Sequence, residues 1–345
     1  MANKEFKFDV VIGNPPYQEE TAGTSSSDKP IYNLFMDEAY RISNIVELIT
    51  PGRFLFNAGA TPKAWNRKML SDKHLKVLYY ETNSEKVFSN TDIKGGVAVT
   101  YRDKSKDFGE IGTFTIFPSL NSILKKVRPD VIENGSLTDI IYSQNKFNLN
   151  ELNNYYPELN RSDKRLESNI FKLDIFKTER SSDNDLKILG VIKNKRVYRY
   201  VNKKYIDDTD SNLTFYKVLL PKSNGSGTLG EVISTPLVGT PLVGTPLVGY
   251  TRTFIGIGAF KTKNEANSAL KYVKSKFARV MLGVLKVTQD NNPGKWRWVP
   301  LQNFTSTSDI DWSVSVHEID QQLYRKYDLN EQEIEFIETH VKEMD

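Results

Sequence analysis

The sequence contains no cysteine, which excludes disulfide frameworks and thiolate metal sites. Its three histidines, His74, His317 and His340, are scattered along the chain, so we expect no metal site built on histidine. No apolar run approaches the roughly 18 residues that a membrane span needs, and no basic-then-apolar leader opens the chain. These absences favour a cytoplasmic protein with no membrane partner.

Positive and negative charges are segregated along the 345 residues. Lys and Arg total 47 and Asp and Glu total 43. Residues 308–345 hold eleven acidic and three basic side chains, which leaves a surplus of 12 positive charges in the rest of the chain. This segregation favours a polyanionic partner for the basic part. The alternative is an ordinary solvated, charged surface.

The first hundred residues have an α/β pattern. Four short apolar runs predict strands: FDVVIG, NIVELITP, HLKVLYYE and KGGVAVTYR. Between the first two, IYNLFMDEAYRI predicts a helix, and its apolar stripe is expected to comprise Ile31, Leu34, Phe35, Ala39 and Ile42. Alternating strands and helices predict part of a parallel, doubly wound, Rossmann-like sheet.

Beyond Asp107 the pattern changes to short strands and polar loops, which predicts an α+β region. We place the boundary between Arg102 and Thr113, and so predict domains at 1–107 and 108–345. A single long helix is expected over TKNEANSALKYVKSKFARVMLGVLK. Near the end, Asn330 and Glu333 have the spacing of a capping box, and the helix that they open is expected to expose its acidic side.

The segment TPLVG occurs three times in tandem over residues 235–249. A proline at every fifth position cannot sustain a helix or a central strand, which predicts an extended loop or an edge excursion. The additional copies are either a tolerated loop extension or a spacer that alters a recognition surface.

The segment NPPY, Asn14 to Tyr17, directly follows the first predicted strand. The carboxyl end of a strand in an open α/β sheet faces the ligand crevice. The prolines fix φ and lack N–H groups, so the carbonyls of Asn14 and Pro15 point in set directions, while Tyr17 offers a flat ring. Two acceptors and a ring suit adenine, whose amino group supplies two hydrogens, once the base has left the duplex.

NPPY after an apolar strand resembles the catalytic motif of adenine-specific DNA methyltransferases of restriction-modification systems. ITPGRFLFNAG, VFSNTDIKGGVAVTYRDK and the late YTRTFIGIGAF, WRWVPLQNF and IDQQLYRKYDLNEQEIEFIE are similar to later segments of type IIG-like members. The resemblance implies a partial methyltransferase sheet over 1–107, followed by a target-recognition domain over 108–345 that ends in an acidic helical segment. By the same resemblance Asn14 and Pro15 hold the adenine amino group, Pro16 stiffens the turn and Tyr17 stacks on the flipped base. Phe88 is a candidate for the other face of the base, or else a core residue.

The resemblance also implies S-adenosyl-L-methionine as cofactor. In this family the glycine-rich cofactor turn and its acidic partner precede NPPY, and only eight residues precede Asp9. We therefore expect the cofactor-binding half to be absent, and supplied by a second polypeptide or by residues outside this sequence. FIGIG at 254–258 is a weak alternative for a cofactor loop.

A run of basic residues with interleaved tyrosines occupies VIKNKRVYRYVNKKYI, a composition suited to phosphate neutralisation and stacking on nucleic acid. A solvated edge strand guarded by lysine is the alternative. The candidates for binding double-stranded DNA are Lys193, Lys195, Arg196, Arg199, Lys203, Lys204, Arg252, Lys295 and Arg297. The sequence thus predicts adenine N6 methylation of DNA. Two alternatives stay open: a non-catalytic DNA-binding or specificity protein, and a subunit of a restriction endonuclease.

Overall fold

The structure, a computed structural model, describes residues 8–19, 29–234 and 242–344. The chain forms two compact units, Met1–Asn121 and Ser122–Asp345. The first unit extends past the predicted boundary at Asp107 because Ile111 and Phe114 pack against its core. In the described ranges, no helix is both long and apolar enough to cross a membrane.

The first unit contains a four-stranded mixed sheet, here called the N-terminal sheet, with two helices. Its strands are β1 (Phe8–Gly13), β2 (Ser43–Pro51), β3 (Leu75–Glu81) and β4 (Val97–Asp103), and its helices are α1 (Tyr32–Ile42) and α2 (Lys63–Leu70). The strand order is β1-β2-β4-β3. β1 and β2 are parallel, and β4 is antiparallel to both β2 and β3. All four predicted strands and the first predicted helix are confirmed, and so is the mixed α/β class.

The buried face of α1 differs from the predicted stripe. Tyr32, Met36 and Ala39 are buried and belong to the core, whereas Leu34 and Phe35 are exposed. The true face follows the spacing i, i+4 and i+7, with Tyr32 as a core residue that packs edge-on against Trp65 of α2. Of the predicted stripe, Ala39 is buried as expected, whereas the prediction was wrong for Leu34 and Phe35.

β1 lies at one edge of the N-terminal sheet, and among the described residues it pairs only with β2. It leaves apolar side chains unusually accessible for a parallel strand: Phe8 is 47% exposed, Val10 46% and Ile12 74%. Parallel strands in α/β proteins are normally covered, so this edge presents apolar surface that is not buried within the described part of the first unit.

Within its described residues, the second unit contains nine strands in three small sheets. The strands are β5 (Ile141–Tyr142), β6 (Lys146–Phe147), β7 (Asp185–Ile192), β8 (Lys195–Asn202), β9 (Ile206–Asp207), β10 (Tyr216–Pro221), β11 (Leu242–Gly244), β12 (Val248–Tyr250) and β13 (Phe254–Phe260). The sheet orders among the described residues are β11-β10-β13-β5, β12-β7-β8 and β6-β9.

The described part of the second unit also contains six helices, and the first of them begins in the last residues of the first unit. They are α3 (Pro118–Asn134), α4 (Leu149–Tyr155), α5 (Lys263–Lys274), α6 (Lys276–Gly283), α7 (Val316–Lys326) and α8 (Glu331–His340). Short 3₁₀ helices in the two units span Gly52–Phe56, Ser84–Lys86, Leu137–Ile140, Pro157–Leu159, Ile170–Lys172, Lys203–Tyr205 and Pro293–Trp296.

The long helix predicted after residue 261 is broken into α5 and α6 at Ser275. The Ser275 hydroxyl accepts a hydrogen bond from the N–H of Ala278 at 3.1 Å. The buried carboxylate of Asp320, on α7, accepts hydrogen bonds from the N–H groups of Lys276 (3.0 Å) and Phe277 (2.9 Å). These acceptors satisfy the first donors of a new helix. The prediction of one helix was wrong because the capping carboxylate comes from a distant segment.

The capping box at the start of α8 is confirmed. The Asn330 side chain accepts from the Glu333 N–H at 3.0 Å, and the Glu333 carboxylate accepts from the Asn330 N–H at 2.8 Å. Glu333 is nevertheless buried, where it also accepts from the Ser122 hydroxyl and the Lys126 ammonium, both at 2.7 Å. The acidic side of α8 is therefore not wholly exposed as predicted.

Two of the TPLVG copies form edge strands, as predicted. β11 lies in the second copy and pairs with β10, and β12 begins in the third copy and pairs in parallel with β7. Residues 235–241, which include the first copy, lie outside the described residues. FIGIG lies within β13, a buried strand between β10 and β5. The alternative of a cofactor loop at FIGIG is therefore wrong, since these residues form a central strand.

Candidate active site at the carboxyl edge of the N-terminal sheet

Three loops meet at one edge of the N-terminal sheet. Because β1 and β2 are parallel, the segments that follow these two strands leave the sheet at the same edge. The loop between β3 and β4, residues 82–96, lies there too, since Glu81 and Pro51 are both opposite Val97. Asn14–Tyr17 directly follow β1, so the topology places NPPY at this edge.

NPPY has no regular secondary structure. Asn14 and Pro16 are exposed, whereas Pro15 and Tyr17 are half-buried. The carbonyl of Tyr17 accepts a hydrogen bond from the N–H of Ile31 at 3.1 Å, and its ring packs against the core of the first unit. Tyr17 is thus fixed through both backbone and ring, while Asn14 is open to a ligand.

Tyr17 and Tyr32 are held as neutral phenols at this edge. Burial raises the pKa of Tyr17 to about 12, and the neighbouring Asn14 side chain partly offsets the rise. No well-formed hydrogen bond reaches the Tyr17 hydroxyl from the described residues. Burial also raises the pKa of Tyr32, against the opposing effects of the Thr61 side chain and the Arg53 charge. Both rings are therefore uncharged at neutral pH.

A cavity of about 480 Å³ opens beside Tyr17, a size typical of small-molecule sites. The chain segments after β1 and β2 and the loop 82–96 all contribute to its wall. The side chains that give it chemical character are two phenol rings, two cations, two hydroxyls and one carboxylate: Tyr17, Tyr32, Arg53, Lys94, Thr61, Thr91 and Asp92. Asn14, Pro15, Pro16 and Phe88 are not among its lining residues.

Arg53 is the residue in this cavity that sequence reasoning missed. It lies in the 3₁₀ helix Gly52–Phe56 directly after β2, within the segment ITPGRFLFNAG. Its aliphatic stem packs beside Gly59 and Gly95, both at positive φ. Arg53 follows a predicted strand, as Asn14 does, and this position could have indicated it as a site residue. The position of Lys94 in the cavity depends on the path of the loop 82–96, which local sequence pattern does not reveal.

Phe88 is half-buried and follows the 3₁₀ helix Ser84–Lys86. Its N–H donates to the carbonyl of Ser84 at 2.8 Å, and its carbonyl accepts from the Thr91 hydroxyl at 2.7 Å. Thr91 in turn lines the cavity. The structure therefore connects Phe88 to the cavity wall through Thr91, and its contact with a base stays a prediction.

The β7–β8 hairpin brings four of the nine candidate DNA-binding residues together. Lys193 lies in its turn at φ 46, and Lys195, like Lys193, is exposed. Arg196 lies 5.7 Å from the ring centroid of Phe254, and burial lowers its pKa. Arg199 donates to the carbonyl of Tyr198 at 2.9 Å. The turn thus offers two accessible cations, while the two arginines also have contacts within the protein.

The other candidates lie on separate elements of the second unit. Lys203 and Lys204 follow β8, and the Lys204 ammonium lies 3.2 Å from the ring centroid of Tyr155. Arg252, beyond β12, donates to Glu167 at 3.0 Å. Lys295 is in the 3₁₀ helix Pro293–Trp296, and the exposed Arg297 follows it. The pairing with Glu167 makes Arg252 less available to a phosphate than the hairpin lysines.

Sequence comparison finds a family likeness for the N-terminal segment that contains NPPY, but not for Thr91–Lys94 of the cavity wall. Residues 1–88 match the family described as Eco57I restriction-modification methylase. An uncharacterized adenine-specific methylase of Mycoplasma pneumoniae is 30% identical over 94 residues, which are 26% of this chain and 22% of that relative. The match spans about a fifth of the curated relative. The predicted resemblance to adenine-specific methylases is confirmed for the N-terminal segment.

Structure comparison yields a weaker likeness. The crystal structure of the type IIG restriction endonuclease BpuSI aligns with 90% of this chain and 48% of its own, at a TM-score of 0.30 and 10% sequence identity. A likeness at this TM-score does not establish a shared fold.

Proposed function

We propose that this chain is the part of an adenine-specific DNA methyltransferase that holds the target base, and that it acts in a restriction-modification system. One observation carries the proposal: NPPY lies at the carboxyl edge of a parallel strand pair, and its Tyr17 lines the cavity at that edge. The family match over residues 1–88 supports the same function.

Asn14 and Pro15 hold the amino group of an extruded adenine in this proposal. The amide oxygen of Asn14, which is exposed, and the carbonyl of Pro15 accept the two amino hydrogens. These two acceptors keep electron density on the nitrogen and orient its lone pair, so positioning supplies much of the rate. The ring of Tyr17, uncharged because burial raises its pKa to about 12, stacks on the base.

S-adenosyl-L-methionine would supply the methyl group in the complete enzyme. The described residues do not furnish a site that fits it: FIGIG is a buried strand and no other glycine-rich turn follows a parallel strand there. We therefore propose that a cofactor-binding half, in a second polypeptide or in sequence outside these 345 residues, completes the enzyme.

The outer side of β1, away from β2, is the surface that this half would cover. We propose that the N-terminal sheet is part of a doubly wound, Rossmann-like sheet that continues past β1. A further parallel strand beside β1 would add backbone pairing on its outer side, and helices on that half would bury Phe8, Val10 and Ile12. The direction of β1, parallel to β2, supports a doubly wound continuation rather than a hairpin.

The second unit is proposed as the target-recognition domain for double-stranded DNA. Its support is the hairpin turn with exposed Lys193 and Lys195, two cations that could neutralise phosphates. The remaining basic candidates stay part of the proposal, although Arg252 also pairs with Glu167.

The test is Asn14→Ala in the assembly purified with its cofactor-binding half. We expect methyl transfer to be abolished while duplex DNA affinity changes little, because Asn14 contacts only the extruded base. Asn44→Ala is the matched control, since Asn44 is also exposed but lies at the opposite end of the sheet, near the start of β2. An unchanged rate for Asn14→Ala would remove Asn14 from the chemistry.

A further inference from the structure

We infer that Arg53 and Lys94 form a phosphate subsite in the cavity beside Tyr17, where they bind a backbone phosphate of the target nucleotide. The inference rests on the proposed function, because it takes an extruded deoxyadenosine nucleotide as the ligand. It adds to that function a means of holding the sugar-phosphate while the base is read. Arg53 and Lys94 are then positioning residues for the nucleotide.

The stem of Arg53 is held by its surroundings before any ligand binds. A β-carbon on Gly59 would lie 3.2 Å from Cβ and 3.3 Å from Cδ of Arg53. A β-carbon on Gly95 would overlap Cγ of Arg53. The two glycines, at φ 82 and 87, therefore leave a slot that an arginine stem occupies. A stem held in this way loses less rotamer entropy when its guanidinium binds a ligand.

No acidic partner of the two cavity cations occurs among the described residues. In the described ranges neither Arg53 nor Lys94 forms an ion pair, although Asp92 also lines the cavity. Elsewhere in the first unit, by contrast, Arg102 pairs with Asp72 at 2.7 Å. Two cations without an acidic partner among the described residues, in the wall of one concave site, favour an anion, and a guanidinium matches the geometry of phosphate oxygens.

The remaining groups of the cavity suit the rest of a nucleotide. Tyr17, which is half-buried, offers a neutral ring for a base or sugar, whereas Tyr32 is a buried part of the wall. The hydroxyl of Thr91 already donates to the Phe88 carbonyl, and that of Thr61 donates to the Asn66 side chain, both at 2.7 Å. Because these hydroxyl protons are already used, recognition of an anion falls to Arg53 and Lys94.

The experiment compares 2′-deoxyadenosine 5′-monophosphate with 2′-deoxyadenosine as probes of the full 345-residue chain, by NMR titration at low salt. We expect the nucleotide to bind at least about tenfold tighter, the worth of one charge-assisted hydrogen bond. Arg53→Ala and Lys94→Ala should each reduce this difference, and Arg53→Lys should restore part of it. Arg67→Ala is the control: Arg67 is an exposed arginine of α2 that does not line the cavity.

Three results would overturn the inference: equal affinity for the two probes, no detectable binding of the nucleotide, or an equal loss in Arg67→Ala and Arg53→Ala. A cytosine nucleotide separates this inference from the proposed function. If deoxycytidine 5′-monophosphate shows the same Arg53-dependent gain and the same affinity, the phosphate subsite stands and adenine recognition fails. If the protein prefers adenine but gains no affinity from the phosphate, adenine recognition stands and the phosphate subsite fails.

Discussion

Arg53 and Gly95 pack so closely that a β-carbon at position 95 would overlap the Cγ atom of Arg53. Gly95 also has φ 87, a conformation that a residue with a side chain rarely adopts. We predict that Gly95→Ala destabilises the first unit by about 1–2 kcal/mol and displaces Arg53, so that the phosphate-dependent gain in nucleotide binding falls as it does in Arg53→Ala. Thermal unfolding and the nucleotide titration measure the two effects.

Gly109→Ala provides the control for backbone strain, since Gly109 has φ 74 but does not line the cavity. It should lower stability and leave nucleotide binding unchanged. If Gly95→Ala binds the nucleotide as the unmodified protein does, the slot does not position Arg53.

Asp320 gives the second unit a pH-dependent component of stability. Burial raises the pKa of this carboxyl to about 6, while the N–H groups of Phe277 and Lys276 and the charge of Arg279 oppose the rise and Glu338 adds to it. Between about pH 4 and pH 6 the folded protein retains a proton that an unfolded aspartic acid has released. The contribution of protonated Asp320 to the free energy of unfolding is therefore present at low pH and is lost as the pH rises through about 6.

Asp320→Asn should remove this component. We expect the difference in unfolding free energy, unmodified protein minus variant, to fall by up to about 3 kcal/mol between pH 4 and pH 7. Urea unfolding followed by tryptophan fluorescence reports mainly on the second unit, which contains Trp296, Trp298 and Trp312. A difference that does not change with pH would show that Asp320 titrates normally.

The hairpin turn predicts a salt-dependent contact with DNA. Replacing Lys193 and Lys195 together by alanine should lower the slope of log affinity against log salt concentration by about 1–2, because each phosphate contact releases about one counterion. Fluorescence anisotropy with a duplex over a series of salt concentrations measures the slope. Alanine at Lys261 and Lys263, two other exposed lysines of the second unit, should leave it unchanged, and equal slopes in all proteins would remove the hairpin from the interface.

If a separate half binds the cofactor, as proposed, the 345-residue chain alone should not bind S-adenosyl-L-methionine at micromolar concentration. The described residues supply no glycine-rich cofactor turn, since FIGIG is buried in β13. Isothermal titration calorimetry with and without duplex DNA tests this. Micromolar binding by the chain alone would contradict the need for a separate cofactor-binding half.

The sequence predicted the elements of the N-terminal sheet because each strand is a short apolar run that ends in turn residues. It also predicted that NPPY follows a strand. In the structure, β1 and β2 are parallel, and Tyr17 of NPPY lines a cavity at the carboxyl edge of this pair. The buried face of α1 was predicted correctly at Ala39 but wrongly at Leu34 and Phe35, because Tyr32 and Met36 pack into the core instead. Hydropathy alone does not distinguish these two arrangements.

Long-range contacts explain the other failures. The break between α5 and α6 depends on Asp320, more than forty residues away in sequence, and local pattern contains no sign of it. Arg53 and Lys94 belong to different loops, and their common cavity exists only because β2 and β4 are neighbours. Such sites depend on how strands and loops are arranged in the fold, and a single sequence does not reveal that arrangement.

The most direct measurement is the identity of the modified base. The chain, co-expressed with the reading frames that flank it in a host without adenine methylation, is tested by mass spectrometry of nucleosides from the digested host DNA. The account predicts N6-methyldeoxyadenosine with the unmodified chain and none with Asn14→Ala. Methylated cytosine in its place, or equal adenine methylation with Asn14→Ala, would contradict it.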